Sequence, residues 1–140
     1  MLERIQIPKA VTKGPEGITR TVHGFADASE RAYAAVVYLK SENEGQSDIS
    51  LISAKSRVAP VKQVTLPRLE LCAAMLLAQL VQHTVKVLNL QDAPMYLWTD
   101  SMVALGWIQG HPVKWKTYVA NRVAEIQRLV PEAHWNHLPG

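Results

Sequence analysis

Three carboxylate residues stand where the sequence changes from one expected element to the next. Asp27 closes the strand-like segment "TVHGFAD", Asp100 closes "APMYLWTD", and Glu70 falls in the first turn of the helix-like segment "TLPRLELCAAMLLAQL". If these acids converged, they would repel one another and raise one another's pKa unless cations neutralised them. Oxygen-only ligation favours hard ions such as Mg²⁺ or Mn²⁺. A pair of such ions about 4 Å apart supports in-line attack of water on a phosphodiester.

Each acid also has an ordinary structural role open to it. Asp27 could form a turn, because aspartate readily bonds its own backbone two residues on, and Asp100 could cap the helix that follows. Glu70 differs, since at about 100° per residue it falls between Leu77 and Val81, at the edge of the apolar stripe of its helix. The helix dipole would stabilise an acid in this turn. The dipole does not explain why Glu70 lies at the edge of the apolar face of the helix, where an unpaired carboxylate is costly.

The elements that must position these acids follow from hydrophobic periodicity. Five segments are predicted as strands: "TVHGFADAS", "RAYAAVVYLKS", "ISLISAKSR", "APMYLWTD" and "EAHWNHL". Three segments are predicted as helices: residues 65–88, 101–109 and 116–130. This order predicts an α/β fold, a mixed five-stranded sheet of three antiparallel strands plus two more, flanked by helices. Helix 65–88, with Thr65 as its cap and Pro67 in its first turn, would cross over the sheet and let strands one and four be neighbours.

Length and composition are those of one folded domain. The chain has 140 residues, of which 48% are hydrophobic and 19% charged, and a net charge of +3, which excludes a disordered chain. No apolar run approaches the roughly 20 residues of a membrane helix, and the N-terminus lacks the apolar stretch of a signal peptide. The single cysteine, Cys72, excludes an internal disulfide and favours a reducing compartment. Residues 1–20, with two prolines and two glycines, are predicted as a linker or arm before a domain at 21–140.

Four sequence blocks occur in an order that matches a known family. They are "GFADAS", "TLPRLELCAAMLLAQL", "LWTDSMVALGWIQ" and "HWNHLPG", with "SAKSRVAP" between the first two. The chain thereby resembles, over about residues 20–140, the ribonuclease H domain of retroelement polyproteins, and most closely that of BEL/Pao-type LTR retrotransposons. The resemblance implies that Asp27, Glu70 and Asp100 are catalytic metal ligands. They would bind two Mg²⁺ ions, or Mn²⁺, during hydrolysis of the RNA strand of an RNA–DNA hybrid.

The resemblance also implies partners and a cellular setting. The expected partners are an RNA–DNA hybrid, reverse transcriptase and other domains of the same polyprotein, with no membrane. The arm at 1–20 would connect to the preceding polyprotein region, and the expected location is intracellular: the cytoplasm, virus-like particles or the nucleus. The family has a fourth carboxylate that opens one more helix after the last strand, but no acid follows Glu132 here. We therefore expect a C-terminally truncated domain with its final helix missing.

Two other classes of function stay open on the sequence alone. Loss of the fourth ligand would instead leave a catalytically silent module with the same fold, which binds nucleic acid or acts as a scaffold. More distantly, the chain could be an unrelated α/β domain, in which the three acids do not converge.

Basic residues cluster in two groups that could contact phosphates. The first comprises Lys55, Arg57, Lys62 and Arg68, and the second comprises Lys114, Lys116 and Arg122 with Trp115 and Tyr118 interleaved. Either could be a solvated face, the usual fate of surface charge, whereas phosphate contacts would act on any nucleic-acid sequence. The predicted nucleic-acid-binding residues are Lys55, Arg57, Arg68, Ser29 and Ser101. Arg68 ranks first, because its neighbour Glu70 places it near the rim of the site.

Two further patterns are weaker. His134 and His137 form an H-x-x-H sequence, but residues three apart on a strand point to opposite faces, and no cysteine pair supports a zinc site. Cys72 lies in the apolar stripe of its helix and is predicted to pack in the core. Trp98, Trp107 and Trp135 are likewise expected in the core rather than as stacking platforms.

Overall fold

The computed structural model describes residues 17–60 and 64–139. The five strands are β1 (Thr19–Ala28), β2 (Ala32–Asn43), β3 (Gln46–Val58), β4 (Met95–Thr99) and β5 (His134–His137). The three α-helices are α1 (Leu66–Val87), α2 (Met102–Gln109) and α3 (Thr117–Leu129), and a short 3-10 helix spans Pro112–Lys114. The predicted order of elements is confirmed.

The strands form one mixed sheet in the order β3-β2-β1-β4-β5. β1 pairs with β2, and β2 with β3, in antiparallel fashion, whereas β4 lies parallel to both β1 and β5. Helix α1 carries the chain from β3 at one edge to β4 beside β1, as the predicted crossover requires. The α/β fold and its mixed five-stranded sheet are therefore confirmed.

The core lies between the sheet and the buried face of α1. This helix forms because leucine and alanine recur at helical spacing, and its residues Leu71, Ala74, Leu77, Ala78 and Val81 are fully buried. Opposite them, Gly24 of β1 permits close approach, since an added Cβ would lie 2.7 Å from Leu77 Cδ1 and 2.8 Å from Leu97 Cδ2. The close packing of α1 on β1 fixes the position of the first turn of the helix.

A second, smaller apolar cluster lies on the other residues of β1 and β4. Because successive strand residues point to opposite faces, Phe25 and Trp98, both buried, pack together with stacked rings 6.3 Å apart. The prediction that Trp98 belongs to the core is confirmed. Trp107 and Trp135 are partly buried and pack against the main cluster, and Cys72 in α1 is buried, as predicted.

One predicted boundary and one predicted capping bond differ from the structure. The predicted strands "RAYAAVVYLKS" and "ISLISAKSR" left the polar segment between them outside the sheet, but β2 and β3 continue through it, and Glu44 and Gly45 turn the chain, with φ of +49° and +84°. Two consecutive positive φ values suit the right-handed twist of a two-residue hairpin. Thr65 does occupy the cap position of α1, but its side chain makes no capping hydrogen bond.

Two sequence predictions fall wholly or partly on residues that the structure does not describe. Residues 1–16 of the predicted arm, and Lys62, lie outside the described residues. β1 begins at Thr19, and the division of the chain at residue 20 stays a prediction. Among the described residues, none of the helices combines the length and apolar character that crossing a bilayer demands.

Candidate active site

The two aspartates predicted as metal ligands lie side by side at one edge of the sheet. Ala26 of β1 pairs with Thr99 of β4 in the parallel register, so Asp27 and Asp100 each occupy the next position along neighbouring strands. Both residues are exposed. Because the two strands run in the same direction, their carboxyl ends meet at the same edge, and this edge presents two acids to solvent.

Glu70 completes the group from the first turns of α1. It is half-buried, and its Oε2 atom is buried without a hydrogen-bond partner. Burial raises the pKa of Glu70, and the negative charges of Asp100 and Asp27 raise it further, while the Ser101 hydroxyl and His137 act in the opposite direction. Neighbouring charges shift the pKa of a carboxylate in this way only when they are close to it. The raised pKa of Glu70 therefore indicates that its carboxylate, on α1, lies near the ends of both β1 and β4.

Ser101, rather than Asp100, caps helix α2. The Ser101 hydroxyl accepts a hydrogen bond from the Ala104 backbone N–H at 3.0 Å, and the Ser101 N–H donates to Thr99 Oγ1 at 3.2 Å. The N-cap role that the sequence left open for Asp100 therefore belongs to Ser101, because the chain turns into the helix one residue later. The Asp100 carboxylate is left free of the capping role. Ser101, predicted to bind nucleic acid, is buried and its hydroxyl is committed to the helix.

His137 brings a third strand end to the same edge. It pairs with Thr99 in the parallel register of β4 and β5, and its Nε2 donates to the backbone carbonyl oxygen of Asp100 at 3.3 Å. His137 was not among the site residues predicted from the sequence. The other histidine of that pattern, His134, stacks on Tyr96 with ring centroids 5.2 Å apart, so the two point apart as expected.

The three acids form a set of oxygen donors for a divalent metal ion, but not a closely gathered one. Across residues 17–60 and 64–139, no three histidine, cysteine, aspartate or glutamate side chains stand close enough together to hold an ion. The chemistry of the three acids nevertheless fits a hard cation. Asp27, Glu70 and Asp100 offer only oxygen atoms, one of these atoms is buried and unpartnered, and burial, together with repulsion from the two aspartates, raises the pKa of Glu70. A cation at this edge would relieve both penalties.

Three of the predicted nucleic-acid contacts lie around the β1–β2 turn and on the outer strand. Ser29 is exposed, and its hydroxyl accepts from the backbone N–H groups of Arg31 and Ala32 within the turn. Lys55 and Arg57 are exposed on β3 and pair with β2 residues on either side of the level of Asp27. With strands about 4.8 Å apart, the backbone of β3 at these two residues lies about 10 Å from the backbone of the strand that carries Asp27.

Arg68 faces a different element from the one that sequence adjacency suggested. Residues two apart on a helix are separated by about 200°, so Arg68 and Glu70 point away from each other. The Arg68 guanidinium lies over the ring of Tyr118 in α3, 4.8 Å from its centroid. Arg68 therefore belongs to the junction of α1 and α3 rather than to the carboxylate edge itself.

The sheet, its crossover helix and the acids at the ends of β1 and β4 define the class of ribonuclease H-like domains. Residues 1–101 match the family described as Pao retrotransposon-like RNaseH-like domain. The chain belongs to this family, and the resemblance seen in the sequence is confirmed. No sequence among the curated proteins matches the chain.

Solved structures of ribonucleases H share the fold. LC11-RNase H1, isolated from compost by a metagenomic approach and solved in complex with an RNA/DNA hybrid, is 14% identical, with 86% of each chain covered and a TM-score of 0.55. The RNase H domain of prototype foamy virus is 13% identical, covers 88% of this chain and 79% of that one, and has a TM-score of 0.51. The foamy virus protease–reverse transcriptase, at 13% identity and a TM-score of 0.54, matches 93% of this chain through 18% of its own.

Proposed function

We propose that this domain hydrolyses the RNA strand of RNA–DNA hybrids as a metal-dependent endonuclease. The observation that carries the proposal is the group of acids from three elements at one sheet edge, with the pKa of Glu70 raised by burial and by both aspartates. A carboxylate whose pKa is raised by burial and by neighbouring acids is typical of functional sites. Membership of the Pao retrotransposon-like family supports the reaction class, and so does the shared fold of the ribonucleases H.

The three acids would hold the metal ions, and each brings a different property to the site. Asp27 and Asp100 are exposed and can reach ions and substrate from solvent. Glu70 is half-buried with an unpartnered oxygen, so it would anchor the group from the helix side. Two Mg²⁺ ions, or Mn²⁺, would supply activation of water and stabilisation of the leaving oxygen when bound. Ser101 and His137 hold the backbone around Asp100 and so orient its carboxylate.

The substrate and partners follow from the same proposal. An exposed edge suits a duplex substrate better than a small molecule, because a small ligand needs a concave pocket around it. Selection of a hybrid would rest on duplex shape and on 2′-OH groups rather than on base edges. The foamy virus enzyme joins a protease and reverse transcriptase to the matching segment, which supports reverse transcriptase as a polyprotein partner of this domain.

Cleavage of an end-labelled RNA–DNA hybrid tests the function directly. Wild-type protein should cut only the RNA strand, only with Mg²⁺ or Mn²⁺ present, and should leave matched RNA–RNA and DNA–DNA duplexes intact. Asp100→Asn should abolish cutting, and Asp92→Asn, an exposed acid in the loop before β4, should not. Hybrid binding without cleavage by the wild type would instead support the silent nucleic-acid-binding module. Cleavage that survives in Asp100→Asn would refute the assigned site.

A further inference from the structure

The outer edge of β3 is a long strand edge that pairs with no strand of residues 17–60 and 64–139. β3 has 13 residues, stands first in the strand order and pairs with β2 alone. Strands in globular proteins usually span about five or six residues. Natural proteins usually shorten or cover such an edge, because its backbone N–H and C=O groups can pair with another chain. The length of this edge therefore indicates a surface for strand pairing.

The backbone groups that point to this outer edge follow from one hydrogen bond. The Ala59 N–H donates to the Arg31 carbonyl oxygen at 2.8 Å, which makes these two residues a hydrogen-bonded pair at the end of the β2–β3 ladder. Bonding alternates along an antiparallel strand. The odd-numbered residues of 53–57 therefore also bond to β2, whereas Ala54 and Ser56 direct their N–H and C=O groups to the outer edge.

A β-bulge in the middle of β3 changes which of its residues share a face. Leu51 pairs with Tyr38 and Ser53 with Val37, so Ile52 is an extra residue in β3. In a regular strand, residues an odd number of positions apart point to opposite faces. The extra residue shifts this alternation by one position. Across the bulge, residues an odd number of positions apart therefore share a face, and their backbone groups point to the same side of the strand.

The bulge places an acid and a base of β3 on one face of the sheet. Asp48 pairs with Ser41 of β2, and Lys55 pairs with Ala35. Directly opposed residues share a face, and Ser41 and Ala35 are an even number of positions apart, so both charged side chains project on the face of Ala35. Both are exposed, and neither forms an ion pair with another described residue.

Two large apolar side chains are exposed on the other face of the same strand. Ile49 pairs with Lys40 and Leu51 with Tyr38, and the two apolar side chains are 45% and 58% exposed. Residues of these types are usually buried. Ala54 follows the bulge on the same face as both, so a partner strand along the outer edge would cover apolar surface on this face and meet charges on the other.

We propose that β3 pairs with β3 of a second copy of this chain, in antiparallel register about a two-fold axis between Leu51 and Ile52. In this register Asp48 of each copy lies opposite Lys55 of the other. Both residues bond to β2 within their own copy, so they form non-hydrogen-bonded pairs, whose side chains approach most closely. A strand without the bulge could not make this match, because the acid and the base would point to opposite faces.

The same register also matches the backbone groups and the apolar side chains. The hydrogen-bonded pairs of the new ladder join residues whose backbone groups already point to the outer edge: Ile49 with Ala54, and Ser47 with Ser56. A bulge and an edge lysine usually discourage pairing, but here the bulge aligns the lysine with an acid of the second copy. Charge complementarity therefore identifies the partner as another β3 rather than an unrelated strand.

The dimer would join the two five-stranded sheets into one, with both α1 helices on the same face. Strands of the two copies run in opposite directions, so the two carboxylate edges point away from each other and stay open to solvent. Lys55, which was predicted from the sequence to contact nucleic acid, would contact the second copy instead. This dimer goes beyond the proposed function and does not depend on it.

Exchange of the two charges tests the pairing in solution. Asp48→Lys places two lysines opposite each other at both pairs, and Lys55→Asp places two aspartates there. Each variant alone should raise the dimer Kd by about tenfold, because attraction becomes repulsion at two cross-strand pairs. An equimolar mixture restores opposite charges at both pairs and should dimerise as wild type does. Sedimentation equilibrium over a range of protein concentrations measures the wild type, each variant and the mixture.

The control carries the same change of charge at another exposed site. Asp92→Lys, in the loop before β4, should dimerise as wild type does. Recovery of the dimer in the mixture also excludes misfolding as the cause of the loss in each variant. A wild type that stays monomeric at every concentration would overturn the proposal. The same conclusion follows if the mixture is no more dimeric than its two components.

A disulfide cross-link tests the register independently of the charges. Ser47 and Ser56 are exposed and would face each other across the dimer with Cα atoms about 5.5 Å apart, a separation that a disulfide accepts. A mixture of Ser47→Cys and Ser56→Cys proteins should therefore form a covalent dimer under mild oxidation. Either variant alone should not, because identical positions lie roughly 30 Å apart along the strands, and Cys72 is buried. Equal cross-linking of one variant alone, or none in the mixture, would refute the pairing.

Discussion

Asp27 and Asp100 occupy equivalent positions at the ends of two hydrogen-bonded parallel strands, one residue beyond the pair Ala26–Thr99. Neighbouring strands are only about 4.8 Å apart, so the backbone itself enforces the proximity of two acids. Glu70 lies on the helix side of this edge, where burial and the charges of both aspartates raise its pKa. The repulsion among the three carboxylates opposes folding stability. A cation bound at this edge would offset that repulsion.

Substitution Glu70→Gln should stabilise the domain in metal-free buffer. Burial and the two aspartates raise the pKa of Glu70 above its usual 4.5, so the ionised form is disfavoured in the folded state. The resulting loss of stability is absent below the unfolded pKa and complete once pH exceeds the folded pKa. The neutral amide removes this loss, and we expect a higher melting temperature at pH 7 than for wild type. Glu132→Gln, at an exposed site, is the control, and a Glu70→Gln melt at or below that of wild type would contradict the prediction.

Divalent metal should stabilise the wild-type domain in a saturable manner. An ion that binds only the folded state stabilises it by about 2.7 kcal/mol at a concentration of 100 Kd, and EDTA should reverse the gain. Both Asp100→Asn and Glu70→Gln should lose most of this shift, because each removes a charged ligand of the proposed site. Thermal melts across a Mg²⁺ titration, with Asp92→Asn as the matched control, measure it. An equal Mg²⁺ shift in all four proteins would indicate nonspecific binding.

Part of this arrangement could be predicted from the sequence, because it depends on local sequence patterns. The helical period of α1 and the alternation in the strands are local patterns, so they predicted the element order and the edge on which the acids lie. The cap of α2 could not be settled from the sequence, because Asp100 and Ser101 are both good N-cap residues and only the backbone path distinguishes them. The partner of Arg68 was inaccessible, because Tyr118 is 50 positions away and meets it only through packing of α3 on α1.

Protonation of His23 should destabilise the fold as pH falls below about 6.5. This histidine is 1% exposed, and burial, helped by the charge of Lys40, lowers its pKa from 6.5 to about 4. The unfolded state therefore takes up a proton between pH 6.5 and 4 while the folded state does not. Stability is complete above 6.5 and decreases by up to about 3 kcal/mol toward pH 4.

A non-titrating variant isolates the effect of His23 on this pH dependence. His23→Gln keeps a polar group in reach of Thr21 Oγ1, which lies 2.8 Å from His23 Nε2, but it cannot take up a proton in this range. Denaturant melts at half-unit pH intervals should show a flatter profile for the variant than for wild type. Parallel profiles for the two proteins would show that other groups cause the acid sensitivity.

Gly24→Ala should destabilise the domain by about 1–3 kcal/mol, the usual range for overpacking a filled core. The new Cβ would lie 2.7 Å from Leu77 Cδ1 and 2.8 Å from Leu97 Cδ2, so both side chains or the helix must shift. Gly106→Ala is the matched control. An added Cβ at Gly106, inside α2, meets nothing within 4 Å, and alanine there should stabilise the helix by about 0.5–1 kcal/mol. Denaturant melts of both variants should give free energies of unfolding that change in opposite directions.

His137 should act as a positioning residue for Asp100. Its Nε2 donates to the Asp100 backbone carbonyl oxygen at 3.3 Å, which ties the end of β5 to the residue that carries the carboxylate. Partners of this kind typically change activity by about 10–100-fold when removed. His137→Ala should therefore lower kcat for hybrid cleavage by that factor and leave KM nearly unchanged, because the substrate contacts remain. His137→Gln, which can still donate a hydrogen bond, should recover part of the rate.

His134→Ala removes a histidine of the same strand that stacks on Tyr96 instead, and cleavage should continue at the wild-type rate. If both alanine variants slowed the reaction equally, the loss would come from the stability of β5 rather than from the orientation of Asp100.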